Sequence, residues 1–219
     1  MSSAGVVAYR GKGNVYVNLT NRCTCACVFC LRSFTDQVYG YSLRLEQEPS
    51  APEVRRAIER ELAAEPVREV VFCGLGEPTL RLPEVLAITE WLSAHLIRSR
   101  LNTNGLGQLA NPSVAVVDQL VAAGLSAISI SLNAADPVAY QRTCRPTYDH
   151  AFPAVLAFAR TCVAAGLPTQ LTVVDYPGVN VSACAGIATG LRADFCVRAR
   201  ATPRITATES GSAGARACR

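Results

Sequence analysis

The sequence has few of the features that mark membrane, secreted or nucleic-acid-binding proteins. It contains no run of the ~18 apolar residues that a membrane-spanning helix needs, and residues 1–13 lack the basic-then-apolar order of a signal peptide. Lys12 is the only lysine, and the net charge of +4 is too weak to indicate a nucleic-acid partner. The two histidines, His95 and His150, fall in helical or helix-start positions, so we assign them no catalytic role. We therefore expect a soluble, cytoplasmic protein with no membrane contact.

What the chain does have is an alternation of apolar runs with segments of helical period. Its 219 residues, 50% of them hydrophobic, are enough for one domain with a sizeable core. The alternation is typical of an α/β fold with a parallel sheet. It predicts strands at 15–21, 69–74, 98–103, 127–133, 169–175 and 195–199, and helices at 50–65, 83–96, 113–123, 151–165 and 181–191. The first helix begins with a capping box, in which Ser50 and Glu53 bond to each other's backbone.

Six strand–helix units are two fewer than a closed eight-stranded barrel needs. We therefore predict an open, partial (β/α)6 TIM-like barrel, with a parallel sheet inside and helices outside. In that architecture, residues that follow the strands line one mouth. Residues 1–200 would form this core domain, and residues 201–219, which have no period, are predicted to be a disordered tail.

The strongest chemical signal is a cluster of cysteines directly after the first strand. Of ten cysteines, four lie within residues 23–30, and Cys23, Cys27 and Cys30 read CxxxCxxC. Thiolates at such spacing favour zinc or an iron–sulfur cluster. Three ligands would bind three irons of a cubane and leave the fourth iron open for chemistry. In that case Cys25 is expected to point away, whereas a structural zinc site would use all four thiols.

Polar residues also follow the later strands. Gly76 and Glu77 come after the second strand, and Glu77 offers an acceptor for an amine. Thr103 ends the third strand, and Ser131 and Asn133 end the fourth; such groups suit a carboxylate and a ribose. Each group taken singly is also an ordinary strand-end cap. Cys144, Arg145 and Asp175 would border the same mouth, where a loop salt bridge or a turn is the alternative role.

Taken together, these motifs resemble those of the radical S-adenosylmethionine (SAM) superfamily, including the aromatic Phe29 before the last cysteine. The resemblance implies a [4Fe-4S] cluster on Cys23, Cys27 and Cys30, and SAM at the open iron. It also implies reductive cleavage of SAM to a 5′-deoxyadenosyl radical. The SAM contacts that it implies are Phe29 at the adenine, Gly76 and Glu77 at the amino group, and Thr103, Ser131 and Asn133. Leu75 stands where the family motif has the first of two paired glycines.

Within that superfamily, residues 14–200 most resemble the TatD-associated radical SAM proteins, through segments such as 72–79, 100–105 and 171–178. This implies a TatD-like hydrolase as a partner, but no substrate. The Gly-Glu-Pro-Thr and Thr-Asn-Gly segments are also similar to tRNA-modifying members, so a small molecule, a peptide and RNA all stay open as substrates. The family implies an electron donor such as flavodoxin or ferredoxin. The alternative function is a structural zinc or iron–sulfur protein, or an assembly partner, without radical chemistry.

Overall fold

The computed structural model describes residues 5–201, which contain all six predicted strands and three that were not predicted. In chain order the strands are β1 (Ala8–Gly11), β2 (Asn14–Val17), β3 (Gln37–Val38), β4 (Tyr41–Ser42), β5 (Val70–Phe72), β6 (Ser99–Thr103), β7 (Ala127–Ser131), β8 (Thr169–Val174) and β9 (Asp194–Arg198). Strands β3 and β4 form a separate hairpin, and the other seven form one sheet in the order β1-β2-β5-β6-β7-β8-β9.

The central sheet is open and mostly parallel, which confirms the predicted α/β class. Strand β1 pairs antiparallel to β2, and every neighbouring pair from β2 to β9 is parallel. The edges β1 and β9 do not pair with each other. Because the order follows the chain without a reversal, right-handed crossovers place the connecting helices on the same face of the sheet.

Within the described part of the chain, seven α-helices connect the strands. They are α1 (Ala51–Ala64), α2 (Leu82–Ala94), α3 (Gly107–Ala110), α4 (Val116–Ala122), α5 (Pro137–Cys144), α6 (Ala151–Ala164) and α7 (Val181–Leu191). The capping box predicted for α1 is confirmed, since the Ser50 backbone N–H donates to Glu53 Oε2 at 2.8 Å. Helices α3 and α5 were not predicted. No helix within residues 5–201 is long and apolar enough to cross a bilayer.

The two faces of the sheet differ in polarity. Side chains of a strand alternate between faces, and one set packs with the helices in the main core, as Leu101, Ile130 and Leu171 do. We call the opposite side the polar face, because it carries Arg100, Asn102, Ser129, Gln170 and Arg198. The predicted tail, 201–219, lies outside the described residues except for Ala201.

Candidate functional site

The cysteine loop leaves β2 at the carboxyl edge of the sheet and borders a cavity of about 260 Å³. Six of the predicted site residues line this cavity: Cys23, Cys27, Cys30, Phe29, Ser131 and Asn133. They come from the cysteine loop and from the end of β7, as expected for the carboxyl ends of parallel strands. Gly76, Glu77 and Thr103, the other three, do not line it.

The segment at the end of α5 shapes the cysteine loop. The Val28 backbone N–H donates to Thr143 O at 3.0 Å, and the Thr147 N–H donates to Thr24 O at 2.9 Å. Cys25 and Pro146 form an antiparallel bridge between these bonds. A loop of this length has few backbone partners of its own, so the α5 segment satisfies groups that would otherwise be unpaired.

The prediction that Cys25 points away from the other thiols is wrong. Cys25 lines the same cavity, and its thiol hydrogen-bonds with that of Cys27. The bridge to Pro146 explains this, because extended backbone sends residues i, i+2 and i+4 to one side. A further thiol, that of Cys144 in α5, hydrogen-bonds with Cys27 and also lines the cavity.

Without a metal, the pKa values of three of these thiols, those of Cys23, Cys25 and Cys27, are raised. Burial raises the pKa of Cys23 to about 11, because the charged thiolate loses solvation. The hydrogen bond with Cys27 raises the pKa of Cys25, and burial adds to the effect. The hydrogen bond with Cys144 raises the pKa of Cys27. A metal that binds here must displace these protons, so its affinity rises with pH.

The donor set suits an iron–sulfur cluster. Several thiols line one half-buried cavity, and the Asn104 amide lies 3.6 Å from Cys25 Sγ and 3.9 Å from Cys23 Sγ, where it can donate to a thiolate. Among residues 5–201, no three His, Cys, Asp or Glu side chains are disposed to share a single metal ion. A cubane does not require that arrangement, since each thiolate binds a different iron.

Glu77 lies beneath the loop, buried and fully hydrogen-bonded. Its oxygens accept from the Thr79 N–H at 3.1 Å, from the Thr79 and Thr103 hydroxyls at 2.8 Å each, and from the Asn104 N–H at 2.7 Å. Burial nevertheless raises the pKa of Glu77. The structure thus brings Glu77 and Thr103 together, as a joint between the ends of β5 and β6.

Gly76 allows the same joint to approach the cysteine loop. A Cβ at this position would lie 2.3 Å from Arg22 O, which no side chain can tolerate. The neighbouring Glu77 N–H donates to Arg22 O at 2.8 Å. Gly76 therefore seats the start of the cysteine loop on the turn that follows β5.

Cys144, which was expected to border this mouth, lines the cavity, and so do three polar residues that were not predicted there: Asn104, Tyr140 and Arg198. Asn104 and Arg198 stand at the carboxyl ends of β6 and β9, so the strand-end rule that found Ser131 could have found them. Tyr140 and Cys144 belong to α5, which the helical period did not reveal. At the rim, the rings of Phe29 and Tyr176 lie 5.6 Å apart.

Comparison with known families agrees with this geometry. A sequence model described as the Radical SAM superfamily matches residues 17–188. The chain belongs to the radical SAM superfamily. Its cofactors are therefore those of the family, a [4Fe-4S] cluster and SAM. The same family accounts for the CxxxCxxC loop at the carboxyl edge of the sheet.

Among curated relatives, this radical SAM domain is 33% identical over 175 residues to GTP 3′,8-cyclase of Corynebacterium glutamicum, which covers 75% of this chain and 42% of that protein. It is 31% identical over 163 residues to PqqA peptide cyclase of Xanthomonas oryzae pv. oryzae, covering 74% of this chain and 39% of that protein. The chain therefore spans about two fifths of the length of these relatives.

Solved structures share the fold at lower identity. Streptococcus suis SuiB bound to its precursor peptide SuiA has a TM-score of 0.67 and 18% identity, and covers 85% of this chain and 39% of that chain. SuiB bound to S-adenosylmethionine has the same TM-score, 17% identity and coverages of 87% and 41%. TYW1 with a lysine-pyruvate adduct has a TM-score of 0.63, 15% identity and coverages of 89% and 67%. At these identities the likeness supports the fold.

Proposed function

We propose that the protein is a radical SAM enzyme that cleaves SAM reductively and uses the resulting 5′-deoxyadenosyl radical to modify a substrate. One observation carries the proposal: Cys23, Cys27 and Cys30 line one cavity with Phe29 and the residues at the end of β7. When bound and reduced, the cluster supplies the electron that breaks a carbon–sulfur bond of SAM.

In this proposal the chain's own residues hold and orient the two cofactors. Cys23, Cys27 and Cys30 each bind one iron, and the Asn104 amide donates towards the sulfurs. Cavity position supports Phe29 as the adenine contact, and Ser131 and Asn133 as contacts of the ribose or the carboxylate. The Oδ1 atom of Asn133 already accepts from the Val174 N–H at 3.0 Å, so its amide nitrogen is the group left for SAM.

The turn that holds Gly76 and Glu77 has a second role in the proposal. Glu77 orders Thr103 and Asn104 from below. The family resemblance assigns Gly76 and Glu77 to the amino group of SAM; in this proposal backbone carbonyls of the turn would meet that group, and Glu77 would act by ordering the turn from outside the cavity. Tyr140 and Leu31 also line the cavity and would shield the thiols from water once SAM is bound.

The substrate class that the comparisons favour is a peptide. SuiB has been solved with a precursor peptide, and PqqA peptide cyclase is named for one. A small molecule remains the second candidate because of the likeness to GTP 3′,8-cyclase. RNA stays a sequence-based prediction. We also propose flavodoxin or ferredoxin as electron donor, a TatD-like hydrolase as partner, and the cytoplasm as location.

We further propose that the sheet is the six-stranded part of a TIM-like barrel formed by residues 1–200. The support is its strand order, which runs from β2 to β9 without a reversal. A doubly wound sheet reverses its order and carries helices on both faces, whereas a barrel keeps all helices outside.

The deciding experiment is anaerobic reconstitution with iron and sulfide, followed by dithionite and SAM. We expect about four irons per chain and formation of 5′-deoxyadenosine, measured by mass spectrometry. Cys23→Ala, Cys27→Ala and Cys30→Ala should each abolish both. Cys184→Ala is the matched control, because Cys184 is buried in α7 away from the cavity. Zinc in place of iron, with no 5′-deoxyadenosine, would instead establish the structural-metal alternative.

A further inference from the structure

One arginine on the polar face, Arg198, pairs with no carboxylate of residues 5–201. Arg198, at the end of β9, lines the cavity and donates from Nη2 to Ser129 Oγ at 2.9 Å. It forms no ion pair among residues 5–201, whereas Arg100, on the same face, pairs with Glu69. A guanidinium has five N–H donors, so most N–H groups of Arg198 can still donate to a bound ligand.

The surroundings of Arg198 make its uncompensated charge costly in free energy. Burial lowers the pKa of Arg198; Cys73 and Tyr16 act against this effect, and the nearby charge of Arg100 adds to it. A charge withdrawn from water costs free energy unless an opposite charge compensates it. The residue is therefore placed where an anion from outside the chain would be bound more tightly than at an exposed arginine.

Two further polar groups lie beside the same serine. In the sheet register Ser129 pairs with Asn102 on β6 and with Gln170 on β8. Neighbouring strands lie about 4.8 Å apart, so the three side chains form one short row. Asn102 Oδ1 and Gln170 Oε1 are buried and have no hydrogen-bond partner within residues 5–201. Buried amide oxygens are rarely left unpaired in a finished site.

We propose that Arg198 binds an oxyanion of the substrate, a carboxylate or a phosphate, in the cavity that it lines. Asn102 and Gln170 lie behind this site, outside the cavity lining, and make the surface next to Ser129 polar. The proposal rests on the proposed function and specifies its substrate class. Ser129 lies two residues before Ser131, so this row is deeper in the sheet than the predicted SAM contacts. The substrate would thus lie against the sheet, beneath the cysteine loop.

The test uses the anaerobically reconstituted protein with SAM bound, and two probes at constant ionic strength: pyrophosphate for a phosphate and glutarate for a carboxylate. Isothermal titration calorimetry gives the dissociation constants. At least one probe should bind the wild type, and which one binds identifies the source of the oxyanion. Arg198→Gln should raise the dissociation constant about ten- to hundredfold, the range for lost hydrogen bonds to a charged group. Arg198→Lys keeps the charge and should recover part of the loss.

Two further variants keep the test decisive. Arg60→Gln removes the same charge from an exposed site in α1 and should bind the probes as the wild type does. Ser129→Ala removes the bond that orients Arg198 and should weaken binding about two- to tenfold. If Arg198→Gln fails to fold, probe binding by Ser129→Ala tests the proposal in its place. Binding by both Arg198→Gln and Ser129→Ala that equals that of the wild type, or no binding of either probe, would overturn the proposal.

A final measurement asks whether Arg198 binds SAM and not the substrate. In samples reconstituted without SAM, the probe is bound first and SAM is then added. If SAM displaces the probe and Arg198→Gln weakens SAM binding, Arg198 serves the carboxylate of SAM and the inference falls. Formation of 5′-deoxyadenosine by the wild type, measured in the same samples, separates the two claims. If it forms while Arg198→Gln binds the probes normally, only this inference fails. If it does not form, the proposed function fails.

Discussion

At the scale of single residues, Glu77 joins the turn after β5 to the end of β6 through one carboxylate. Its oxygens accept from Thr79, Thr103 and Asn104. Asn104 in turn donates to Thr24 Oγ1 at 2.8 Å, inside the cysteine loop. The acceptor-only character of a carboxylate matters here, because every group that faces it is a donor.

This leads to a prediction for Glu77→Gln. The new amide N–H₂ would face donors, so at least one buried group loses its partner. We expect the free energy of unfolding to fall by about 1–3 kcal/mol, even without cluster or SAM, measured by urea denaturation of the apoprotein. Glu90→Gln, at an exposed position in α2, should change it by less than about 0.5 kcal/mol. Unchanged apoprotein stability together with lost SAM affinity would assign Glu77 to SAM alone.

Cys25 permits a second prediction at this scale. Its sulfur contacts Cys27 and Asn104, yet it is not one of the three cysteines of the CxxxCxxC spacing. We expect Cys25→Ala to keep its iron and acid-labile sulfide after reconstitution, with a loss of packing only. Cys27→Ala, two positions further along the loop, should lose the cluster. Iron and sulfide assays per chain provide the comparison. Loss of iron in Cys25→Ala would make it a ligand.

At the scale of elements, the start of the cysteine loop is clamped by Glu48. Its carboxylate pairs with Arg22 at 2.7 Å and with Arg81 at 3.1 Å, and it accepts from the Thr20 hydroxyl. Arg81 also donates to Leu19 O at 3.3 Å, so the clamp joins the loop to the segment before α2. The hydrogen bond from Arg22 holds the pKa of Glu48 at about 2.

The clamp predicts a pH dependence whose sign is determined by that lowered pKa. Glu48 binds its proton less tightly in the folded chain, so its stabilisation is complete above the ordinary value of 4.5 and is lost as the pH falls towards about 2. Solvent screening limits the effect to about 1 kcal/mol. Glu48→Gln should unfold at lower urea than the wild type near neutral pH, with the difference vanishing in acid. Glu46→Gln, at an exposed position, is the control. A difference that persists in acid would contradict the clamp.

The elements also show what could be predicted from sequence. Long apolar runs such as 127–133 predicted β5 to β9, because parallel strands are largely buried and therefore consist mainly of apolar residues. Helix α5 was missed since it is only 8 residues long, although Asp136 caps it by accepting from the Ala139 N–H at 2.8 Å. The hairpin β1–β2 was not predicted. Its turn consists of only Lys12 and Gly13, with φ of 49° and 77°, and two residues give too weak a sequence signal to indicate a turn.

For the site, spacing identified the three cysteines, since a cluster constrains its ligands locally. The direction of the Glu77 side chain could not be found in this way. It depends on donors from Thr103 and Asn104, which are distant in sequence and close only once β5 and β6 pair. The α5 segment that holds the cysteine loop is likewise a contact between residues far apart in the chain.

At the scale of the whole molecule, the site is assembled from strand ends along the entire parallel sheet. The cysteine loop follows β2, Asn104 follows β6, Ser131 ends β7 and Arg198 ends β9. A ligand in this cavity therefore contacts segments that separate when the sheet unfolds. Binding to the folded state alone shifts the unfolding equilibrium by mass action.

The consequence is a prediction about thermal stability. With the cluster in place, SAM at about a hundredfold above its dissociation constant should add about 2.7 kcal/mol to the free energy of unfolding. For a chain of this size that raises the unfolding midpoint by roughly 5–10 °C. Anaerobic scanning calorimetry with and without SAM measures the shift. Cys30→Ala, which lacks one iron ligand, should show little of it, because the open iron is where SAM is expected to chelate. An equal shift in that variant would mean that SAM binds to the protein without the cluster.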